Sequence, residues 1–208
     1  MIRLASFLRD RRGASAAEFA LVLPVMLLFL LGIIDVGRYI WNVNQVEKAT
    51  QTGTRWAVAT EVIPTGLNSY SFSISGGVPQ GEVVPITKFP GVNCSSDTGV
   101  VSCQCKTENG GSCAFDATTA NSTAFNALAT RMNEIYGGIR PDNIEIDYDW
   151  SGLGYAGDPE SSDVSPIVTV RVTRLAFRPI FLVGLINFSL PTLSYSLTME
   201  DGAGAFAN

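Results

Sequence analysis

The residues in this chain able to do chemistry are cysteines and carboxylates. Four cysteines fall in one stretch, Cys94, Cys103, Cys105 and Cys113, spaced C-x8-C-x-C-x7-C, and histidine is absent from all 208 residues. Without imidazole there is no Ser-His or Cys-His nucleophile, no His-ligated zinc and no side chain whose ordinary pKa lies near neutrality. Cysteine zinc sites use C-x2-C pairs, which this spacing lacks, so the four thiols read as two disulfides stapling a loop, as in exported proteins. Pairing Cys103 with Cys105 would close a very small ring. Two pairings remain open: Cys94 with Cys103 and Cys105 with Cys113, or Cys94 with Cys105 and Cys103 with Cys113.

The carboxylates give equally little for an enzyme. Asp158, Glu160 and Asp163 could offer oxygens to Ca²⁺, but the D-x-[DN]-x-[DN]-G pattern is missing and the segment reads as a solvated acidic loop. Gly152, Gly154 and Gly157 spell G-x-G-x-x-G after a strand, yet D-P-E-S-S-D follows where a dinucleotide site needs a helix to begin. Asp147 and Asp149 share one strand face with no sign of a pocket above them. No cofactor or metal is expected, and the reading is non-enzymatic. A net charge of −5, with lysine only at 48, 88 and 106, also argues against a nucleic-acid partner.

One carboxylate is out of place. Glu18 is followed by sixteen uncharged residues, Phe19 to Ile34, and an acid at bilayer depth costs roughly 2.5 to 3.5 kcal/mol on insertion scales. Ahead of it lies a basic leader, residues 1–13, with Arg3, Arg9, Arg11 and Arg12 against Asp10, which the positive-inside rule keeps cytoplasmic. The 21 residues from Ala14 to Ile34 make about 31 Å of helix, enough to cross the hydrocarbon core. No small-residue signal-peptidase site ends the run, so the segment is expected to be retained, with a bend at Pro24. A cut after Gly13 would place a new α-amine on Ala14, one helical turn from Glu18, where the two could pair.

The elements that hold this segment can be read onward from it. Apolar and small residues continue at three- and four-residue steps through Ile33, Val36, Ile40, Val43, Val46, Ala49, Gly53 and Ala57, predicting one helix of about 45 residues that is transmembrane first and then amphipathic, its stripe packed on its own domain. Three regions follow: leader 1–13, helix 14–60 and an exported domain 61–208 with the cysteine loop at 94–113. S-Y-S-F-S-I-S and E-V-V-P-I-T-K suggest short strands. A second helix is expected from a cap at Asn121 or Ser122, with an apolar face of Phe125, Leu128, Ala129, Met132 and Ile135. N-I-E-I-D-Y-D-W, I-V-T-V-R-V and L-S-Y-S-L-T-M-E alternate as three strands of an antiparallel meander, with Arg171 opposite the acidic face of the strand before it. The apolar stretch from Pro179 to Pro191, with an uninterrupted core of Ile180 to Ile186, is too short to span a bilayer and reads as a buried connection, contact with the membrane or a partner being the alternative. The fold class is α+β, a long N-terminal helix and a second helix packed on an antiparallel sheet.

G-A-S-A-A-E-F, the early proline of A-L-V-L-P, and the continuations I-I-D-V-G-R-Y and A-T-Q-T-G-T-R-W-A-V resemble the TadE-like pseudopilins of the tight-adherence (Tad/Flp) pilus, relatives of the type IV pilins. The tail V-T-V-R-V…P-T-L-S-Y-S-L-T-M-E is similar to that family's last strands. The resemblance implies a pilin-like fold and a role as pseudopilin or minor pilin. It makes Gly13 the last leader residue, Ala14 the mature N-terminus, and Glu18 with Phe19 the pair that is read in processing and that registers subunits. The implied partners are a prepilin peptidase, other pilins or pseudopilins and the assembly platform. The implied location is the inner membrane, crossed once with the N-terminus cytoplasmic and the C-terminal domain periplasmic, with incorporation into an extracellular pilus. Two other readings are an uncleaved single-pass scaffold of the same machine and a signal-anchored periplasmic binding protein or enzyme, which would need a pocket between residues 65 and 165.

Overall fold

The computed structural model describes residues 14–107, 110–159, 162–182 and 188–200, and of Ala14 and Ser15 the backbone alone. The leader 1–13, including Gly13, lies outside them, as does Glu160 of the acidic loop. Helix α1 runs unbroken from Ala14 to Val58, 45 residues through Pro24. It is followed by the single turn α2 (Thr65–Asn68) and by α3 (Ser122–Asn133). The long strands are β1 (Val92–Asp97), β2 (Val100–Cys105), β3 (Ile144–Asp149), β4 (Ile167–Val172) and β7 (Leu193–Thr198). Two-residue strands β5 (Ala176–Phe177) and β6 (Phe188–Ser189) pair with each other. The result is α+β, a long apolar N-terminal helix with an antiparallel sheet, consistent with a pilin-like fold.

The chain divides into two compact units, Met1–Trp41 with Phe177–Phe188, and Asn42–Ala176 with Ser189–Asn208. In the second, five antiparallel strands lie in the order β2-β1-β3-β4-β7. Adjacent β3, β4 and β7 reproduce the expected meander, while β1 and β2 come from the cysteine segment, where no strand was expected. Thr98 and Gly99, both at positive φ, form the two-residue turn between them. That backbone matches the right-handed twist of the strands. The amide of Gly99 and the hydroxyl of Ser96 both donate to Asp142 Oδ1, at 3.1 and 3.0 Å, which fixes the hairpin tip.

Two short stretches expected to be strands are turns. Ser75 N donates to Ser71 O and Lys88 N to Pro85 O, so both segments close on themselves. The alternation in S-Y-S-F-S-I-S also misleads about burial: Phe72 is fully buried, but Ile74, on what would be the same face, is 86% exposed.

The core of the second unit forms between one sheet face and two helices. Ile144, Ile146 and Tyr148 of β3 and Val168, Val170 and Val172 of β4 are buried, following the period of two. On α3 the buried face is Phe125, Leu128, Ala129 and Met132, and Asn121 caps the helix by accepting from Ala124 N at 3.0 Å. The α1 stripe is covered from Val46 onward, through Ala49, Thr50, Gly53, Thr54, Ala57 and Val58. Earlier members of the same stripe, Ile33, Val36 and Ile40, belong to the first unit and are exposed.

Candidate membrane and assembly site

Helix α1 owes its continuity to composition. From Phe19 to Ile34 it holds only residues that lipid accepts, and the backbone of a helix satisfies its own donors and acceptors. The result is a helix long and apolar enough to cross a membrane. From Phe19 to Ile34 its large side chains stand outward, with Phe19 62% and Phe29 68% exposed. Ala14 is its first described residue, and a cut after Gly13 would leave the new α-amine at the start of the helix. Glu18 is exposed, and no cation among the described residues pairs with it. Phe19 stands beside it on the bare surface.

A second carboxylate on this helix was not singled out from sequence. Asp35 is 2% exposed and accepts three backbone amides, from Ile180 at 2.8 Å, Phe181 at 2.8 Å and Leu182 at 2.9 Å. Arg38, one turn on, approaches the same carboxylate at 3.4 Å and lies 5.6 Å from the ring centre of Phe177. Tyr39 meets Phe177 edge-on at 5.3 Å and Phe188 at 5.8 Å. A Cβ at Gly32 would come within 3.9 Å of Leu182 Cδ1. The stretch from Phe177 to Leu182 is thus strapped along α1. Of the buried connection expected from Pro179 to Pro191, Leu190 is buried, Ile180 is 57% and Phe181 43% exposed, and residues 183–187 lie outside those described. The sequence signals for the strap were the apolar stretch beginning at Pro179 and the acid itself, standing directly after sixteen uncharged residues.

The cysteines settle into one of the two pairings left open. Cys94 bonds Cys103 across the β1–β2 hairpin, where they are direct partners, and Cys105 bonds Cys113. Beside them, on the outer sheet face, lies an ion cluster. Lys106 Nζ is 2.7 Å from Asp147 and 2.6 Å from Asp149, while Arg171 reaches Glu145 and Asp147 at 3.4 Å each. Arg171 thus stands opposite the acidic face, as its place in the alternation predicted. Burial works against the charge on Lys106, but hydrogen bonds and charges from Asp147 and Asp149 outweigh it and raise its pKa above the usual value. The two aspartates are ion-pair partners in this cluster.

The remaining candidates are occupied by structure. Gly152, Gly154 and Gly157 all take positive φ in irregular chain, and no helix begins after them. Asp163, 6% exposed, accepts the amides of Phe72 at 2.6 Å and Gly157 at 2.9 Å, so its oxygens tie loops together. Among the described residues no group of three or more Cys, Asp or Glu side chains is placed to hold a metal.

No curated protein and no solved structure matches the chain. Residues 13–55 match the family model described as TadE-like protein, and that segment, which contains Gly13, Glu18, Phe19, Asp35 and the entire apolar run, is where the chain is similar to the family.

Proposed function

We propose that this protein is a pseudopilin or minor pilin of a tight-adherence pilus, cut by a prepilin peptidase after Gly13 and held in the inner membrane by α1 until it is assembled. The observation that carries this reading is the placement of Glu18: an exposed acid, one turn into a 45-residue helix whose first half presents bare apolar side chains. In lipid such an acid calls for a partner, and a cut at Gly13 would create one on Ala14 of the same or a neighbouring chain. The TadE-like match over residues 13–55 supports the link to the pilus. The basic leader favours a cytoplasmic N-terminus and an exported sheet domain, a compartment in which the two disulfides would persist. Other pilins and the assembly platform are the partners this reading requires, and the role is structural.

Coexpression of the full chain with its prepilin peptidase, followed by mass spectrometry of the product, tests the assignment. Loss of residues 1–13 is the expected result. A chain that keeps its leader would instead be an uncleaved single-pass scaffold. Glu18→Ala is expected to be cut nearly as well as the parent chain but to be poorly incorporated into pili; normal incorporation would remove the pairing role.

A further inference from the structure

We propose that the strap Phe177–Leu182 is a second membrane contact, lying in the lipid interface against α1 and held there by Asp35; this rests on α1 being the membrane anchor. Its course along the helix carries the inference. Phe177 meets Tyr39, Ile180 to Leu182 meet Asp35, and Leu182 reaches Gly32, inside the apolar run. From Tyr39 to Gly32 is seven residues, so the strap descends about 10 Å along α1 toward the span. The chain is back beside Tyr39 at Phe188.

The hydrogen bonding suits lipid better than water. Non-helical backbone at membrane depth is tolerated only where its amide groups find protein partners, each unsatisfied one costing several kcal/mol. Three consecutive amides of the strap find theirs in one carboxylate. The same contact answers the converse question of an acid at the end of an apolar span, because Asp35 has its charge met by three donors and Arg38. Nothing comparable would be required of a loop in water, where solvent could serve both.

The side chains left outside point to the same surroundings. Ile180 and Phe181 are exposed, as are Ile33, Val36 and Ile40 on the turns of α1 around Asp35, so the strap adds apolar surface at the level where it is bonded to the helix. Tyr39, Trp41, Phe177, Phe181 and Phe188 collect aromatic rings where the span ends, the level at which membrane proteins place aromatic belts. Arg38 and Arg178 supply cations at the same end, able to reach headgroup phosphates.

The test uses the full chain in phosphatidylcholine vesicles with brominated acyl chains, which quench tryptophan only at short range. Phe181→Trp reports the strap and Phe29→Trp the anchor, each read against the parent chain with its native Trp41, Trp56 and Trp150. The expected result is a blue-shifted emission lost to bromolipid in both variants. Adding Asp35→Ala should abolish the quenching at position 181 and leave that at position 29. Quenching of Phe29→Trp without Phe181→Trp would overturn the interfacial strap and leave the anchor standing. Quenching of neither would overturn both, and quenching at position 181 that survives Asp35→Ala would overturn the role of Asp35.

Discussion

Met132 of α3 occupies the space a side chain at Gly53 of α1 would need: a Cβ built there would lie 2.6 Å from Met132 Sδ. Met132 is fully buried, so the thioether cannot swing into solvent without opening the core. Gly53→Leu is expected to destabilise the sheet domain by about 1–3 kcal/mol through overpacking. Met132→Ala alone should cost about 2–5 kcal/mol by leaving a cavity. The double variant should lose clearly less than the two costs together, because the new leucine fills the space the methionine vacates. Denaturant unfolding of the detergent-solubilised full chain measures all three.

Alkali should loosen the same domain. Tyr148 is 1% exposed and its hydroxyl accepts from Ile63 N at 3.2 Å; burial pushes its pKa up. The folded state therefore keeps a proton that the unfolded chain releases from about pH 10 upward. Lys106, also raised, contributes stability that is complete below its unfolded pKa of about 10.4 and is lost as pH rises through the folded value. Both effects have the same sign, so the melting temperature should fall steeply above about pH 10. Lys106→Met and Tyr148→Phe should each flatten that limb.

Acid acts on a different element. Asp116 accepts from the hydroxyls of Thr118 and Thr119, both at 2.6 Å, and from Thr118 N at 2.9 Å, and these bonds lower its pKa to about 2. Its contribution is present above the ordinary value of 3.8 and disappears as pH falls toward 2. An NMR titration should place the Asp116 carboxyl near 2 in the folded chain, and Thr118→Ala should move it upward.

The disulfides should be separable by mapping and by effect. Proteolysis without reduction should release peptides joining Cys94 to Cys103 and Cys105 to Cys113, with no 94–105 product. Sequence separations of 9 and 8 correspond to a chain-entropy stabilisation of about 2.5–3 kcal/mol for each. Removing the Cys94–Cys103 bond should cost more than removing the other, because both its cysteines are buried in the sheet while Cys105 and Cys113 are partly exposed. Unfolding of the two double-serine variants checks the order.

Sequence by itself determined whatever is periodic and local. The 45-residue α1, α3 with its Asn121 cap, and the alternating strands β3, β4 and β7 each carry a pattern in which neighbours a few residues apart decide the outcome. Glu18 was legible for a related reason, since a lone charge in an apolar run is conspicuous without any fold. The β1–β2 hairpin also had a local signal, Thr98-Gly99 between two alternating segments, but the cysteines within it suggested a loop.

Tertiary structure alone decided the contacts between distant residues. It set where the α1 stripe stops being covered, since periodicity marks an apolar face without saying what lies against it. It chose Cys94–Cys103 over Cys94–Cys105, because strand register places only the first pair directly opposite. And it turned Asp35 from one acid among several into the acceptor for amides 145 to 147 residues away. A backbone N–H is the same in every residue, so no spacing in the sequence could announce which three the carboxylate would meet.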